Sequence, residues 1–552
     1  MMKFNLPNPE DNIQTDSELL TKHLSETKGK IVTRFPPEPN GYLHIGHAKA
    51  MYINFTFAKI NNGVCYLRFD DTNPTKEKQE YIDSIISDVK WLTHTPYKIT
   101  YTSDYFDQLY EYAIQLIKTD KAYVCELDEE TMRTQRYNGI DSPFRSRSVE
   151  ESLKLFEQMR NKKYGPNTMV LRMKGDMTNA NPNMRDLVAY RILNKVHPRT
   201  GDKWVIYPTY DFSHPIVDSM ENITHSLCSM EFQTRNELYR WIPEMLHIYR
   251  PPQIEYCRLN ITHCILSKRK LIELVSNNVV SGWDDPRMPT LLGLKRRGYT
   301  PEAINNFCNK IGMSVGNSAG VVDYRVLQEC LRQDLENKAP RVMAIMNPLK
   351  VNITNMSDSD SDIIQVSASD FPNQKENSST HTIKVSNIIY IDHDDFRMVD
   401  SPKYFRLAPN KIVRLKYFGL ICCTAVKVNT NNEPLELDVE LLQSDYKPPK
   451  RVQGTINWVS DIDHLNVCVR KYDHLFPEQF NECEDWINSG QLNLNSKMEQ
   501  TVMTDSSIKN AKVFDNFQFE RIGYFTIDSD SCENNIVMNM SVSLKEDKGK
   551  NG

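Results

Sequence analysis

No apolar run in the 552 residues is long enough to span a bilayer, and the opening MMKFNLPNPEDNIQTDSE lacks a basic-then-apolar leader pattern. Those absences argue against a membrane-embedded or exported protein and lead us to expect a cytoplasmic one. The 12 cysteines contain no C-x-x-C pair, and Cys422 and Cys423 are adjacent, which builds neither a disulfide framework nor a zinc ribbon. His225 and Cys228 form one H-x-x-C spacing with no second pair to complete a metal site, so none is expected. Neither G-x-x-x-x-G-K-S/T nor G-x-G-x-x-G occurs, which removes two common nucleotide cradles. Strong net charge is missing too. A balance of −5 neither requires nor forbids a nucleic-acid partner, because phosphates respond to local patches such as Lys268-Arg269-Lys270, Lys295-Arg296-Arg297 and Lys447 to Arg451.

What is present is ordinary soluble-protein composition, 39% hydrophobic and 25% charged, in a chain long enough for three or more domains. Up to about residue 340, strand-like and helix-like segments alternate. IVTRF precedes a helical stretch from Gly46 to about Ile60; VCYLRFD ends in Asp70-Asp71 and leads to a helix with Ile82, Ile85, Ile86, Val89 and Leu92 on one face. That order predicts an α/β fold with a parallel sheet. Thr300-Pro301-Glu302 has the form of a helix start, Ile304, Phe307 and Ile311 line one face, and Gly312 can close it. The region from about 260 to 338 reads as mainly helical.

After Pro340 the pattern changes. Residues 352–384, with SDSDSD and ENSSTHT, are expected to form a mobile loop facing solvent. Leu435, Leu437, Val439 and Leu441 keep period two, and KIVRLKYFGLICCTAVKV is β-rich, so the last 200 or so residues predict β-barrels. Residues 484–510 show too little pattern to assign, and the tail 546–552 is expected to fray.

One stretch asks for a chemical explanation: RFPPEPNGYLHIGHAK, residues 34–49. Prolines fix a loop at a strand end, and a helix begins near Gly46, so unpaired N–H groups and the positive dipole end can receive phosphate. His44 and His47 add ring donors there. The H-x-G-H motif alone is weak, since two half-buried histidines flanking a turn would look the same. A second basic element, ILSKRK at 265–270, supplies a loop that could close over a triphosphate.

Together these elements resemble the HIGH and KMSKS signatures of class I aminoacyl-tRNA synthetases. The longer strings RFPPEPNGYLHIGHAK, LRFDDTNPTKE, YPTYDFSHPIVDS, ITHSLCSMEFQ and GWDDPRMPT are similar to the glutaminyl/glutamyl branch, from about Lys30 to Arg521. The resemblance implies a Rossmann-type catalytic domain split as 30–104 and 210–258 after an extension at 1–29. It further implies an acceptor-stem insertion at 105–209, a helical subdomain at 259–338, and anticodon-binding β-barrels at 339–545.

Within the branch, a glutamate pocket needs a cation for the second carboxylate, whereas a glutamine pocket does not. Glutamyl relatives tend to carry arginine where this chain has Cys228, so glutamine is the expected substrate. A glutamate-charging enzyme, a non-catalytic tRNA-binding paralogue and a stand-alone nucleotidyltransferase are the alternatives. Residue by residue, the resemblance implies that Asp70 pairs with the α-ammonium and Tyr210 with the side-chain amide. Arg34, His214, Cys228 and Gln253 complete that pocket. ATP would meet Glu38, Pro39, Asn40, His44, Ile45, Gly46, His47, Ala48, Lys49 and Ala50, with Ser229, Arg258 and Leu259 at adenosine and Leu266, Ser267 and Lys268 over the phosphates. Ile265 and Leu266 depart from the lysine and methionine of the full KMSKS motif, while Lys268 is retained. His44, His47 and Lys268 are the expected catalytic groups. Arg341, Arg406, Arg414, Gln518 and Arg521 match anticodon contacts. The implied co-substrates are ATP with Mg2+, L-glutamine and the glutamine-accepting tRNA, and the protein is expected to act as a monomer.

Overall fold

The computed structural model describes residues 2, 4–314, 320–356, 363–374, 376–377, 379–448, 452, 454–480, 483 and 485–544. It divides into two compact units: Met1–Ile261 with Asn305–Val322, and Thr262–Ile304 with Asp323–Gly552.

The first unit opens with α1 (Ser17–Thr27), whose start is capped by Asp16. Its centre is a parallel ladder of β1 (Val32–Phe35), β2 (Val64–Phe69) and β3 (Ile99–Tyr101). Every residue of β1 is buried, as a strand covered on both faces requires. The linking helices are α2 (Ile45–Ile60) and α3 (Gln79–Trp91), and α3 buries Ile82, Ile85 and Val89. Between α2 and β2 the chain passes so close to β1 that a Cβ on Gly63 would lie 2.2 Å from the Ile31 carbonyl oxygen.

An insertion follows. It comprises α4 (Phe106–Lys118), β4 (Ala122–Cys125), α5 (Glu129–Asn138), α6 (Val149–Arg160), β5 (Val170–Met173), β6 (Val188–Ile192) and β7 (Ile206–Pro208). Its four strands form one antiparallel sheet in sequence order, and Phe106, Phe156, Tyr190 and Trp204 fill its core. The chain then returns through α7 (Tyr210–Met220), β8 (Ser226–Ser229), α8 (Asn236–Leu246) and β9 (Gln253–Tyr256). β8 and β9 pair in parallel, and the amides of Thr224 and His225 donate to the Val32 carbonyl. The chain therefore leaves β1 towards β2 on one side and comes back at β8 on the other, so the carboxyl ends of β1 and β8 border a topological switch point.

In the second unit, α9 (Lys268–Ser276) packs Leu271 and Leu274 against Leu475, Phe476, Trp486 and Leu492. Two seven-stranded sheets follow. In the first, Thr455–Ile456 pairs with Arg414–Leu415 while Val459–Ser460 pairs with Ile389–Tyr390, so one short segment supplies both edges and the sheet closes on itself. The second closes in the same way through Arg341–Val342 against Gln518–Phe519 and Ala344–Ile345 against Met503–Thr504. Closure removes the exposed strand edges.

One expectation changes. The loop expected across 352–384 is in its described part a β-hairpin, Ile364–Ser369 against Thr380–Val385. Val366, Ala368, Ile383 and Val385 are buried on one face while Ser, Thr and Gln alternate outward, so small and sparse apolar groups were enough for a two-faced strand pair. The SDSDSD run and the tail 546–552 lie outside the described residues. Residues 484–510, left without assignment, contain the strand Lys497–Asp505, nine residues long.

Candidate active site

At the start of α2 the two histidines cap the helix. His44 is the N-cap, its Nδ1 accepting from the Gly46 amide (3.1 Å), while the His44 amide donates to His47 Nδ1 (3.1 Å). A nitrogen that accepts cannot carry the proton, so in each neutral ring Nε2 holds the hydrogen and is a donor. Burial first, and then the neighbouring His47 ring and the Arg258 guanidinium, which would oppose a charge there, hold His44 well below the usual imidazole pKa and keep it neutral. Of the neighbours expected at ATP, Ile45 and Ala48 are buried, Ala50 is half-buried, and Lys49 is buried with Nζ donating to the Cys257 carbonyl (2.7 Å). Asn40 donates to Glu38, and the Pro39 carbonyl accepts from the Lys78 amide (3.2 Å). Ser229 ends β8, Leu259 is buried, and Arg258 pairs with Glu231 (2.7 Å).

Beside β1 lies a buried ion network. Arg34, at 0% exposure, donates from Nε to Asp218 (3.0 Å) and from its terminal nitrogens to the Leu227 carbonyl, Ser226 Oγ and His214 Nε2. Arg68 bridges Asp218 and Glu221, the latter at 2.9 Å. Tyr239 donates to Asp218 (2.6 Å), and Thr100 and Tyr105 donate to Glu221 (2.6 and 3.0 Å). Burial alone would raise the Asp218 pKa, but Arg34 and Arg68 outweigh it and hold the carboxyl well below its ordinary range. His214 faces both guanidinium groups; burial and those charges keep it neutral despite Asp218. The expectation that Arg34 touches substrate therefore meets a side chain sealed inside this network.

Tyr210 begins α7, stacked on His214 (centroids 4.6 Å apart) with Phe232 at 5.3 Å. Burial, followed by the nearby Cys228 thiol, raises its pKa well above that of an ordinary phenol. Cys228 is buried on β8, and burial pushes its thiol up to about 11 against the pull of Arg34, so it is neutral. Gln253 donates to Glu255 (3.0 Å) at the start of β9. Asp70, at the end of β2, does not cap α3, which starts at Gln79. Burial and then the Glu38 charge push its pKa up to about 7, while Thr72 Oγ1 donates to it at 3.1 Å. A buried carboxyl whose pKa is raised in this way is what a site short of a cation shows.

In the second unit Ser267 precedes α9 and Lys268 is its first residue. Lysine at the positive end of a helix dipole is unfavourable unless an anion joins it. Lys270 lies over the Phe480 ring at 4.6 Å, and Arg269 is exposed near Glu273 (3.6 Å), so the three basic neighbours have different environments. Ile265 is in the core below, and Leu266 is half-buried.

The five residues matched to anticodon contacts fall into three groups. Arg341 and Gln518 are register partners; Arg341 donates to the Ala339 carbonyl (3.1 Å), and Gln518 Oε1 is buried without a hydrogen-bond partner among the described residues. Arg406 and Arg521 converge on Asp395 at 3.1 and 2.8 Å. Arg414 is exposed on its strand.

Sequence reasoning missed Arg68, Asp218, Glu221, Ser226 and Tyr239. An arginine in the otherwise apolar strand VCYLRF was a usable signal, because a charge on a fully covered strand requires a buried partner.

The comparisons agree along the chain. The family described as tRNA synthetases class I (E and Q), catalytic domain, matches residues 30–336, and two anticodon-binding domain families of the same group match 339–442 and 455–528. A probable glutamine–tRNA ligase of Dictyostelium discoideum is 50% identical over 99% of this chain and 70% of its own length. A glutamine–tRNA ligase of Lupinus luteus is 46% identical over 99% and 71%, and one of Clostridium perfringens 44% identical over 94% and 95%. The chain belongs to the class I (E and Q) tRNA synthetases.

Proposed function

We infer that this chain is a glutamine–tRNA ligase, activating L-glutamine with ATP and transferring it to the 3′-terminal adenosine of the glutamine-accepting tRNA in the cytoplasm. The observation that carries the choice of amino acid is the closed charge count beside the pocket. Arg34 and Arg68 supply two positive charges, Asp218 and Glu221 two negative ones. His214 and Cys228 are neutral. No uncompensated cation remains among these groups for the second carboxylate of glutamate, whereas a neutral amide needs none. The names carried by the relatives support the same reading.

In this reading Asp70 takes the α-ammonium, which restores its ionised form, and Tyr210 meets the side-chain amide. Arg34 acts through the orientation of His214 and Ser226. The substrate carboxylate is ionised near neutral pH and attacks the α-phosphorus of ATP without a general base. Pyrophosphate leaves. The α2 N-terminus and the Nε2–H donors of His44 and His47 are fixed before charge develops, which is the arrangement electrostatic catalysis needs. Lys268 is assigned to the departing phosphates. A terminal ribose hydroxyl of tRNA then attacks the acyl-adenylate and releases AMP.

Among the described residues, no group of three or more His, Cys, Asp or Glu side chains could hold a metal ion. Mg2+ is assigned to the MgATP substrate, and no step is routed through it. Among the described residues, no helix is long and apolar enough to cross a membrane. Charging of tRNA with labelled glutamine, with release of AMP and pyrophosphate in equal amounts, tests the reading; binding of tRNA without any charging would overturn it.

A further inference from the structure

The turn between β6 and β7 leaves the insertion and grips the loop that follows β2. His197 and Gly201 exchange backbone hydrogen bonds of 3.0 Å each way, which shapes the turn. The His197 ring is buried, with Phe106 at 5.6 Å and Tyr207 at 5.9 Å. Its Nδ1 accepts from the amides of Arg199 (3.1 Å) and Thr200 (3.2 Å), so the proton sits on Nε2, which donates to the Asp71 carbonyl at 2.8 Å. Burial lowers the pKa of the ring and leaves it neutral, so its approaches to the Asp71 and Glu77 carboxyls at 3.6 and 3.8 Å are not ion pairs.

The same turn reaches Asp71 by a second route. Arg199 lies over the Tyr101 ring and donates to Asp104 (2.8 Å) and to Ser103 Oγ (2.9 Å). Ser103 in turn donates to both carboxylate oxygens of Asp71, from its amide at 2.8 Å and its hydroxyl at 2.6 Å. Backbone and side chain of Asp71 are thus held by one turn, more than 120 residues away in sequence. The residue before it is Asp70, whose own amide donates to the Pro37 carbonyl (3.0 Å).

We propose that His197 and Arg199 are positioning residues for the amino acid, fixing the Asp70 carboxylate by clamping the peptide and side chain of Asp71. The proposal rests on the reading of Asp70 as the acceptor of the α-ammonium. It makes the insertion a determinant of amino-acid affinity through two contacts that never reach the substrate. Small displacements of a binding group are costly, so the effect falls on the amino acid and not on ATP.

Steady-state charging of the full chain, with glutamine and ATP varied separately, tests it. His197→Leu removes the donor, His197→Gln keeps one at similar reach, and Arg199→Ala removes the second route. We expect His197→Leu to raise KM for glutamine about 10-fold with KM for ATP within about 2-fold, His197→Gln to return to within about 3-fold of wild type, and Arg199→Ala to raise KM for glutamine about 3-fold. Unchanged KM for glutamine in His197→Leu, or an equal rise in both KM values that His197→Gln does not reverse, overturns it. Should His197→Leu not fold, Arg199→Ala decides alone: unchanged KM for glutamine there overturns the clamp. Wild-type protein that charges glutamate instead would overturn the functional reading only. KM for glutamate would still report the clamp, because the α-ammonium is common to both amino acids.

Discussion

Replacing Asp218 by Asn leaves Arg34 and Arg68 buried with Glu221 as their only carboxylate in the network. Removing one partner from a buried pair costs about 3–5 kcal/mol, mostly from the charge left unpaired. The loss should be local. Native-state hydrogen exchange of β1 and α7 should show opening free energies lower by about that amount, with the barrel strands unaffected. Because Asp218 has a folded pKa below its unfolded value, its contribution is full above about pH 4 and disappears as pH falls further. The difference between wild type and Asp218→Asn should therefore shrink below about pH 4. Asp70, Asp71 and Glu77, whose pKa values are raised, respond in the opposite sense but equally in both proteins. Charging adds a second readout. An unpaired Arg34 should favour a γ-carboxylate, so kcat/KM for glutamine should fall and the preference over glutamate should narrow. Exchange in β1 and α7 unchanged to within about 0.5 kcal/mol would refute the claim that Asp218 neutralises both arginines.

Three further outcomes are expected. Since Asp70 has its pKa pushed up to about 7 before substrate binds, KM for glutamine should rise as pH falls through that value and level off above it; Asp70→Asn should bind weakly at every pH, and a retained pH step in that variant would count against the assignment. His44→Asn keeps a side-chain acceptor for the helix start but loses the Nε2–H donor, so thermal stability should hold to within about 0.5 kcal/mol while kcat for activation falls about 100-fold; His44→Leu should also lose about 1 kcal/mol of stability from the missing cap. Lys268→Ala should slow activation at least ~100-fold with stability changed by less than about 1 kcal/mol, measured by pyrophosphate production and thermal unfolding.

The sequence made local features readable where the physics is local. The helix start at His44 followed from a glycine and prolines at a strand end, and the Thr300 cap appears as expected, its Oγ1 accepting from the Ala303 amide (3.1 Å). Of the period-two run, Leu437 and Val439 lie in the barrel core and Leu441 packs against it, while Leu435 is exposed. What stayed hidden depends on distant partners. Arg34 and Asp218 lie 184 residues apart, and His197 meets Asp71 across 126, so no window of sequence could pair them. Lys49 lies in the stretch that the resemblance assigns to ATP, and the carbonyl that holds its ammonium is 208 residues away. Trp486, in a stretch without pattern, donates to Glu273 (2.5 Å) and packs with α9, a role set by tertiary contact alone.

If Asp218 and Glu221 balance Arg34 and Arg68, no cation of this network is left for a second carboxylate. The most direct test is kcat/KM for glutamine against glutamate in charging of one tRNA preparation at pH 7.5. The account predicts a preference for glutamine of at least about 10³, the scale reached when a buried polar site faces the wrong partner. A ratio near one, or a preference for glutamate, would contradict it and would mean that Arg34 or Arg68 is not neutralised by Asp218 and Glu221.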